Sequence, residues 1–314
     1  MSLFQQSTIT FGDAIDRVLA STASTTSNTT QKALAVRAIQ EATKEWNTRG
    51  PWEFTKVTPI TPITVVAGTA SYDLPYDVYV IYDVRINTGG REYPVYPASR
   101  RHIDRVILDQ SSQGSPFIYD LYRQGAEGKI QLTPTPDAAG TLTIKYFRKL
   151  VVPCTKTLTT ARGTTGSDVV TSTTEMGGIQ IGNSISCATP SDAILTSTTV
   201  VKAVTSQSRL LLSENATFFT SGTVTLQVGN ENYLIDFPAD YDQYLIALAS
   251  EQYLMLNNED TSRIDRMRQK AEEGFVRAAQ LAFKQTDEDL AIQPPPPMDN
   301  VYPLGVWNDG WNGA

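Results

Sequence analysis

Apolar residues recur every three to four positions near the start of the chain, which predicts two amphipathic helices. The apolar face of the first predicted helix carries Phe11, Ile15, Val18 and Leu19. The second is predicted from about Gln31 to Asn47, and its apolar face carries Ala35, Ile39, Ala42 and Trp46. The Ser/Thr-rich stretch 21–30 predicts a linker between them, and Pro51 ends the second helix because it biases Gly50 away from helical geometry.

From Thr55 the apolar period changes to two, which is typical of strands with one buried face. This pattern predicts strands over 63–67, 70–74, 78–86, 117–123, 129–133 and 141–147. In the last of them Leu142, Ile144 and Tyr146 lie on one side of the sheet. A short helix is predicted over Ser99–Asp109, between the third and fourth strands.

The composition changes over residues 155–225, where Ser and Thr occupy 28 of the 71 positions. Short Val/Ile/Leu runs alternate there with Gly-rich turns, a pattern typical of a small β-sandwich or barrel. We therefore predict an inserted all-β domain over residues 151–234. A disordered Ser/Thr linker is the alternative, and the regular apolar runs argue against it.

A helical period returns after Phe237-Pro238-Ala239-Asp240, a sequence that suits a helix start. Tyr241, Leu245 and Leu248 continue one apolar stripe. A last helix is predicted over Thr261–Gln285, with Met267, Ala271, Phe275, Ala278 and Ala282 on one face. Four consecutive prolines at 294–297 predict an extended, Pro-rich, acidic tail over 286–314.

Together these elements predict an α+β fold. The core comprises residues 1–150 and 235–285, in which two N-terminal and two C-terminal helices form a bundle packed with a central antiparallel β-sheet. The 151–234 domain is inserted in one connection of this core, and the 286–314 tail follows it.

The net charge of −7 is concentrated in the tail, which carries five acids and no Lys or Arg. The remaining residues 1–285 have a net charge of only −2. This near-neutral charge disfavours nucleic-acid binding as the main function, because such binding usually needs a basic surface. No apolar run is long enough to span a membrane, and no secretory signal is visible. Cys154 and Cys187 are the only thiols, which favours a reducing compartment.

The residue types needed for common catalytic sites are scarce. His102 is the only histidine, the two cysteines are not spaced as a zinc pair, and no phosphate-binding glycine motif is present. We therefore expect that the protein is not an enzyme and that it has no cofactor, catalytic site or metal site.

Two groups of residues are candidates for binding partners. The tail aromatics are Tyr302, Trp307 and Trp311, which are either without a partner or anchors for a partner's pocket. The dense basic groups include Arg100, Arg101, Arg105, Arg263 and Arg266. These arginines belong either to solvated helix faces or to ion pairs with another subunit or a partner.

Several short motifs in this order resemble the head-to-tail adaptor proteins of tailed bacteriophages, also called connector, neck or tail tubular A proteins. The motifs are Tyr72-Asp-Leu-Pro75, Gly114-Ser-Pro116 followed by Tyr119, Ile130-x-Leu132-x-Pro134-x-Pro136-Asp137, and Leu142-x-Ile144-x-Tyr146. The opening helices that end in Trp46 and Trp52, and Phe237-Pro238-x-Asp240 before the closing helices, fit the same pattern. The resemblance covers about 11–150 and 235–285.

The resemblance implies a virion protein of the neck or tail that assembles in the host bacterial cytoplasm. Such a protein forms a homo-oligomeric ring, commonly a dodecamer, below the portal and around the channel used in DNA ejection. The implied partners are the portal protein, the tail nozzle or other tail proteins, and further copies of the chain. DNA would pass through the lumen without specific binding, and a C-terminal arm would reach the portal.

The β insert departs from this family, whose chains usually pass from the strand near Leu150 almost directly to the closing helices. It is similar to Ser/Thr/Gly-rich β modules of phage structural proteins, and docking of tail fibres is one role for it. The alternative hypothesis is a virion protein that binds a receptor or a carbohydrate through this insert.

Overall fold

The computed structural model describes residues 7–24, 28–59, 62–98, 113–124, 127–174, 176, 178–189, 193–195, 199–218, 223–257 and 261–290. The chain divides into two compact units, Met1–Gly274 and Phe275–Ala314. The short helix predicted over Ser99–Asp109 lies outside the described residues.

Four α-helices lie in the described part of the chain: α1 (Phe11–Ser21), α2 (Thr29–Arg49), α3 (Asp242–Leu256) and α4 (Thr261–Leu290). A reciprocal pair of hydrogen bonds between Thr10 and Asp13 caps the start of α1, because each side chain accepts from the other residue's backbone N–H. The Asn28 side chain caps α2 by accepting from the N–H groups of Thr30 and Gln31. The Asn28 cap places the start of α2 at Thr29, two residues before the predicted start.

The helices differ in how much of their surface they bury. All the residues predicted for the apolar faces of α1 and α2 are buried, which confirms both faces. Helix α3 instead has eleven of its fifteen residues buried, so the single predicted stripe understates its burial. A helix that is apolar on all sides lies inside a fold, and α3 is the central helix of the bundle.

The last helix is longer than predicted, because α4 continues to Leu290. Residues 286–290, assigned from the sequence to the tail, are therefore helical. Within the predicted apolar face of α4, Ala271, Phe275 and Ala278 are buried. The remaining tail, 291–314, lies outside the described residues.

The described strands follow in chain order: β1 (Lys56–Val57), β2 (Ile63–Val65), β3 (Ser71–Asp73), β4 (Val78–Thr88), β5 (Arg91–Pro94), β6 (Tyr96–Pro97), β7 (Gln113–Gly114), β8 (Ile118–Gln124), β9 (Glu127–Thr133), β10 (Thr135–Pro136), β11 (Gly140–Arg148), β12 (Lys156–Gly163), β13 (Ser167–Ser172), β14 (Ile185–Cys187), β15 (Ala193–Ile194), β16 (Val201–Ser206), β17 (Arg209–Phe218) and β18 (Val224–Val228). The mixture of four helices and mainly antiparallel sheets confirms the predicted α+β class.

The strands before residue 150 form the predicted antiparallel β-structure of the core, arranged as two main sheets. In the first sheet β11 pairs with β4 on one side and with β1 and β2 on the other, and β4 also pairs with β5. The second sheet has the order β3-β9-β8-β6. One buried cluster contains residues of both sheets, including Val84 and Ile144 of the first and Ile130 and Leu132 of the second. The two sheets therefore share a core.

Strands β12 to β18 form a third, seven-stranded sheet. Its buried side chains make a separate cluster drawn from residues 154–228, most of them Val, Leu, Ile and Ala. Whether this region folds by itself stays a prediction.

Candidate functional site

The residues singled out from the sequence fall mostly outside the described part of the chain. Arg263 and Arg266 are the exceptions, and both lie near the start of α4, where Arg266 is exposed. The others are Tyr302, Trp307, Trp311, Arg100, Arg101, Arg105 and His102, whose roles stay predictions.

Arg268, two residues after Arg266, makes one of the contacts that join α4 to α3. Its Nε donates a hydrogen bond of 2.8 Å to Oε1 of Glu251, whose side chain is only 7% exposed. The hydrogen bond and the charge of Glu251 raise the pKa of Arg268. Two residues turn a helix by about 200°, so Arg268 faces α3 where Arg266 faces away. In the sequence, Arg268 stands three residues before Ala271 of the predicted apolar face, and this spacing indicates that Arg268 lies on the side of α4 that faces the bundle.

Arg49 joins α2 to α4 at the same end of the bundle. One of its terminal nitrogens lies 2.7 Å from Glu45 of its own helix, and the other lies 2.7 Å from Glu272. These groups are partly exposed, so each pair stabilises the fold by only about 0–1 kcal/mol. The Arg49–Glu272 pair therefore links α2 to α4 but contributes little to stability.

Helices α1 and α4 lie against different sides of α3. On the α1 side, the Ser250 hydroxyl lies 2.6 Å from that of Ser21, and the Tyr253 hydroxyl lies 3.0 Å from that of Ser24. On the α4 side lie Glu251, which binds Arg268, and Tyr244. An added Cβ on Gly274 would lie only 2.4 Å from Cγ of Tyr244.

At 100° per residue, these two contact sets on α3 are separated by about 140° around its axis. The central helix is therefore flanked by α1 and α4, each of which turns its opposite face away from the bundle.

A buried carboxylate, Asp242, begins α3. Its Oδ2 accepts a 2.8 Å hydrogen bond from the Ser7 hydroxyl, and its Oδ1 has no hydrogen-bond partner among the described residues. Burial raises the pKa of Asp242 to about 6, and the hydrogen bond from Ser7 only partly opposes this effect. The carboxyl therefore changes protonation in the mildly acidic range.

The two segments that lead into and out of the third sheet are held together by Arg148 and Asp236. The Arg148 guanidinium makes a two-point ion pair with the Asp236 carboxylate, in which Nη2 lies 2.6 Å from Oδ1. The Asp236 carboxylate also accepts a 2.8 Å hydrogen bond from the Val151 N–H. A bidentate pair of this kind fixes geometry as well as adding energy.

Side-chain amides from two directions bind residues 150–152, the segment that leads into the third sheet. Asn47 of α2 accepts from the Leu150 N–H at 2.8 Å and donates to the Leu150 carbonyl at 3.0 Å. From the third sheet's side, Asn183 donates to the Val152 carbonyl at 2.8 Å. The segment between the helices and the third sheet is therefore bound to both.

A cavity of about 220 Å³ opens beside this junction, between residues of the core and the root of the insert. Its lining includes Phe11, Asn183, Gly229 and Asp236. Tyr233 and Leu234 also line it, and both are about half exposed. Burial raises the pKa of the lining Cys154 to about 12, so its thiol stays protonated near neutral pH.

The outer surface of the first sheet presents aromatic rings beside lysines. The Lys56 ammonium lies 5.4 Å from the ring centre of Tyr82 and 5.7 Å from that of Phe147. Lys149 lies 5.2 Å from the ring centre of Tyr79. These distances are those of cation–π contacts.

Neither metal ligands nor membrane spans emerge from the described residues. No group of three or more His, Cys, Asp or Glu side chains within them could hold a metal ion. No helix described is long and apolar enough to cross a membrane.

Comparison with known families gives a match over the first half of the chain. A family model described as SU10 adaptor protein matches residues 9–169, just over half of the 314-residue chain. The matched range runs from the start of α1 through both shared-core sheets and into the third sheet. No curated protein matches the chain.

Proposed function

Because the chain belongs to the SU10 adaptor protein family, a family of phage adaptor-type proteins, we propose that it is a structural head-to-tail adaptor of a tailed phage. In this proposal, copies of the chain form a ring below the portal and link the capsid portal to the tail. The protein is a virion component, as its family indicates, and we assign it no catalytic role.

The observation that carries this proposal is the extent of the family match. It includes α1, α2 and all the strands of the two shared-core sheets, which together hold most of the motifs that resemble adaptor proteins. Helices α3 and α4 lie beyond the matched range, yet α3 is the buried centre of the bundle that α1 and α2 begin. Helix α3 therefore packs with the helices of the matched segment, which supports treating them as parts of one adaptor core.

The charge distribution supports a channel through which DNA passes without being held. Residues 1–285 have a net charge of −2, and tight duplex binding requires several Lys or Arg contacts to phosphates. We propose that the ring encloses the DNA path during ejection and does not bind DNA specifically.

The C-terminal tail is the proposed arm for the portal. Its sequence combines acids, no basic residue and the aromatic residues Tyr302, Trp307 and Trp311 after a polyproline stretch. A stiffened stem lowers the ordering cost of binding, and indoles are frequent anchors at interfaces. We propose that these rings fill apolar pockets of the portal.

The third sheet is the proposed outward module of the ring, where tail fibres or other tail proteins would dock. A virion protein that binds receptors or carbohydrates through this sheet is the alternative function.

Negative-stain microscopy of the full chain, alone and with purified portal, tests the proposed function. We expect rings whose formation or attachment depends on the portal. A chain that stays monomeric with portal present and binds glycans would contradict the adaptor function and support the alternative.

A second experiment tests the proposed arm. Truncation after Ile292, or Trp307→Ala combined with Trp311→Ala, should leave the fold intact and abolish co-sedimentation with purified portal. Losing an indole anchor costs about 2–4 kcal/mol per subunit at an interface centre. A matched control is Tyr79→Ala, an exposed aromatic of the first sheet, which should co-sediment like the unaltered chain. Full binding by the truncated chain would refute the arm.

A further inference from the structure

The two helices that flank α3 turn charged faces of opposite sign away from the bundle. On α4, the residues Arg263, Arg266 and Lys270 follow one another at spacings of three and four, so they share one face. Arg266 and Lys270 are exposed, and the acid on the same face is Glu273. Between residues 263 and 273 this basic face has a net charge of +2.

The face of α1 that points away from the bundle is acidic. Asp13, Asp16 and Arg17 are exposed and share one side of the helix, opposite the buried Ile15 and Leu19. Exposed Asp240, just before α3, belongs to the same region, because its charge and that of Arg17 both act on the nearby Asp242 carboxyl. With Asp240 included, this acidic face has a net charge of −2.

Opposite charges on separate sides of one molecule have a direct consequence for assembly. A ring is built by head-to-tail contacts, in which one surface of each copy meets a different surface of the next. Helices α1 and α4 contact α3 about 140° apart around its axis, so their outward faces point in different directions. Neither face can pair with itself, since like charges repel, and each is complementary to the other.

We propose that the basic face of α4 in one copy binds the acidic face of α1 and Asp240 in the next copy. The inference deepens the proposed function and rests on it, since it assigns the contact by which the ring closes. Arg266 and Lys270 of one copy meet Asp16 and Asp240 of its neighbour. Asp13 caps α1 through Thr10, so it supports the acidic face while also holding the helix start.

Charge reversal on either face tests this contact in the full-length protein. The first variant combines Arg266→Glu with Lys270→Glu, and the second combines Asp16→Lys with Asp240→Lys. Each variant alone should need about a 10- to 100-fold higher concentration than the unaltered chain to assemble, because like charges then face each other. The control reverses two exposed arginines of the third sheet, Arg162→Glu with Arg209→Glu, and should assemble normally.

Mixing the two variants is the decisive measurement. In an equimolar mixture the acidic α4 face of one variant meets the basic α1 face of the other, and the unaltered faces of the two variants also match. Assembly should therefore return in the mixture, and also in a single chain that carries all four substitutions. Native mass spectrometry counts the copies, and circular dichroism checks that each variant is folded.

Each outcome decides something different. If the unaltered chain forms rings and both variants form them equally well, the contact is wrong while the ring stands. If the variants fail and mixing does not restore assembly, their loss does not come from pairing of these two faces, and the inference is overturned. If the unaltered chain forms no ring, alone or with portal, the proposed function fails together with the contact.

Discussion

The helical bundle and the third sheet bury different kinds of side chain. The bundle packs Trp46 against the rings of Trp52 and Phe237, with centroids 5.2 Å and 5.0 Å away, and buries the charged Asp242 and Glu251. The core cluster of the third sheet consists of aliphatic side chains together with a cysteine and a methionine. The same chain thus builds one region from shaped rings and polar pairs, and the other from branched aliphatic groups.

This contrast predicts how each region responds to change. Large rings and buried polar groups accept few arrangements, so a substitution there removes a specific fit. An aliphatic core tolerates changes that preserve volume, and the hydroxyl network of the third sheet is partly exposed to water. The bundle should therefore be the more sensitive region.

The largest effect is expected for Trp46→Ala, because this ring is fully buried. The substitution should lower the free energy of unfolding by about 3–5 kcal/mol. Urea unfolding followed by the helical signal in circular dichroism measures it.

The matched substitution is Leu226→Ala, at a fully buried position of the third sheet. If the insert folds independently, this change should leave the midpoint of the helical signal in place. An equal shift of that midpoint would mean that the two regions unfold as one, and the comparison between them would then not hold.

The next effect concerns the contact between α4 and α3. Gly274→Ala would place a methyl group 2.5 Å from Cβ of Tyr244, so we expect a loss of about 1–3 kcal/mol in stability. Glycine to alanine within a helix otherwise stabilises by about 0.5–1 kcal/mol, so the sign of the change is diagnostic. Thermal unfolding measures it, with Gln269→Ala, at an exposed position of the same helix, as the control. A stabilised Gly274→Ala variant would show that the helices are not in close contact there.

A smaller effect is expected at Asp242, where a substitution should stabilise the protein at neutral pH instead of destabilising it. Its pKa is raised from 3.8 to about 6, so the folded protein holds a proton that the unfolded chain has already released. The free energy of unfolding should therefore fall as pH rises from about 4 to about 6, by up to about 1–2 kcal/mol from this group. Asp242→Asn keeps an oxygen that can accept from Ser7, and it should be more stable than the unaltered chain at pH 7 but not at pH 4.

Unfolding measured at both pH values decides this prediction. Asp16→Asn is the control, because that carboxylate is exposed. An equal effect of Asp242→Asn at the two pH values would exclude the buried carboxyl as the source of the pH dependence.

The smallest effect is expected in the hydroxyl network of the third sheet. The Thr160 hydroxyl accepts from the N–H groups of Thr173 and Thr174, each at 3.1 Å. Thr160→Val should cost about 1 kcal/mol or less, because water can replace these bonds at a part-exposed site. Thr157→Val, at an exposed position of the same strand, is the control. A cost as large as that of Gly274→Ala would remove the contrast in sensitivity between the two regions.

The prediction of the candidate site depended on helix phase at single residues. Arg263, Arg266 and Arg268 lie within six positions of one another, and in the sequence they form one basic group. Only Arg268 turns toward buried Glu251, while Arg266 is left on the outer face. Which arginine pairs and which remains available to a partner depends on the neighbour that packs against the helix.

The sequence by itself determined the elements and the faces that they bury, because the spacing of apolar residues repeats with the geometry of the backbone. The faces of α1 and α2, and Leu142, Ile144 and Tyr146 of β11, follow from that spacing alone. Only the tertiary structure decided that the early strands form two sheets, that eleven of the fifteen residues of α3 are buried, and that Arg148 reaches Asp236. These features join residues far apart in the chain, and a local period holds no information about which distant segment will lie alongside.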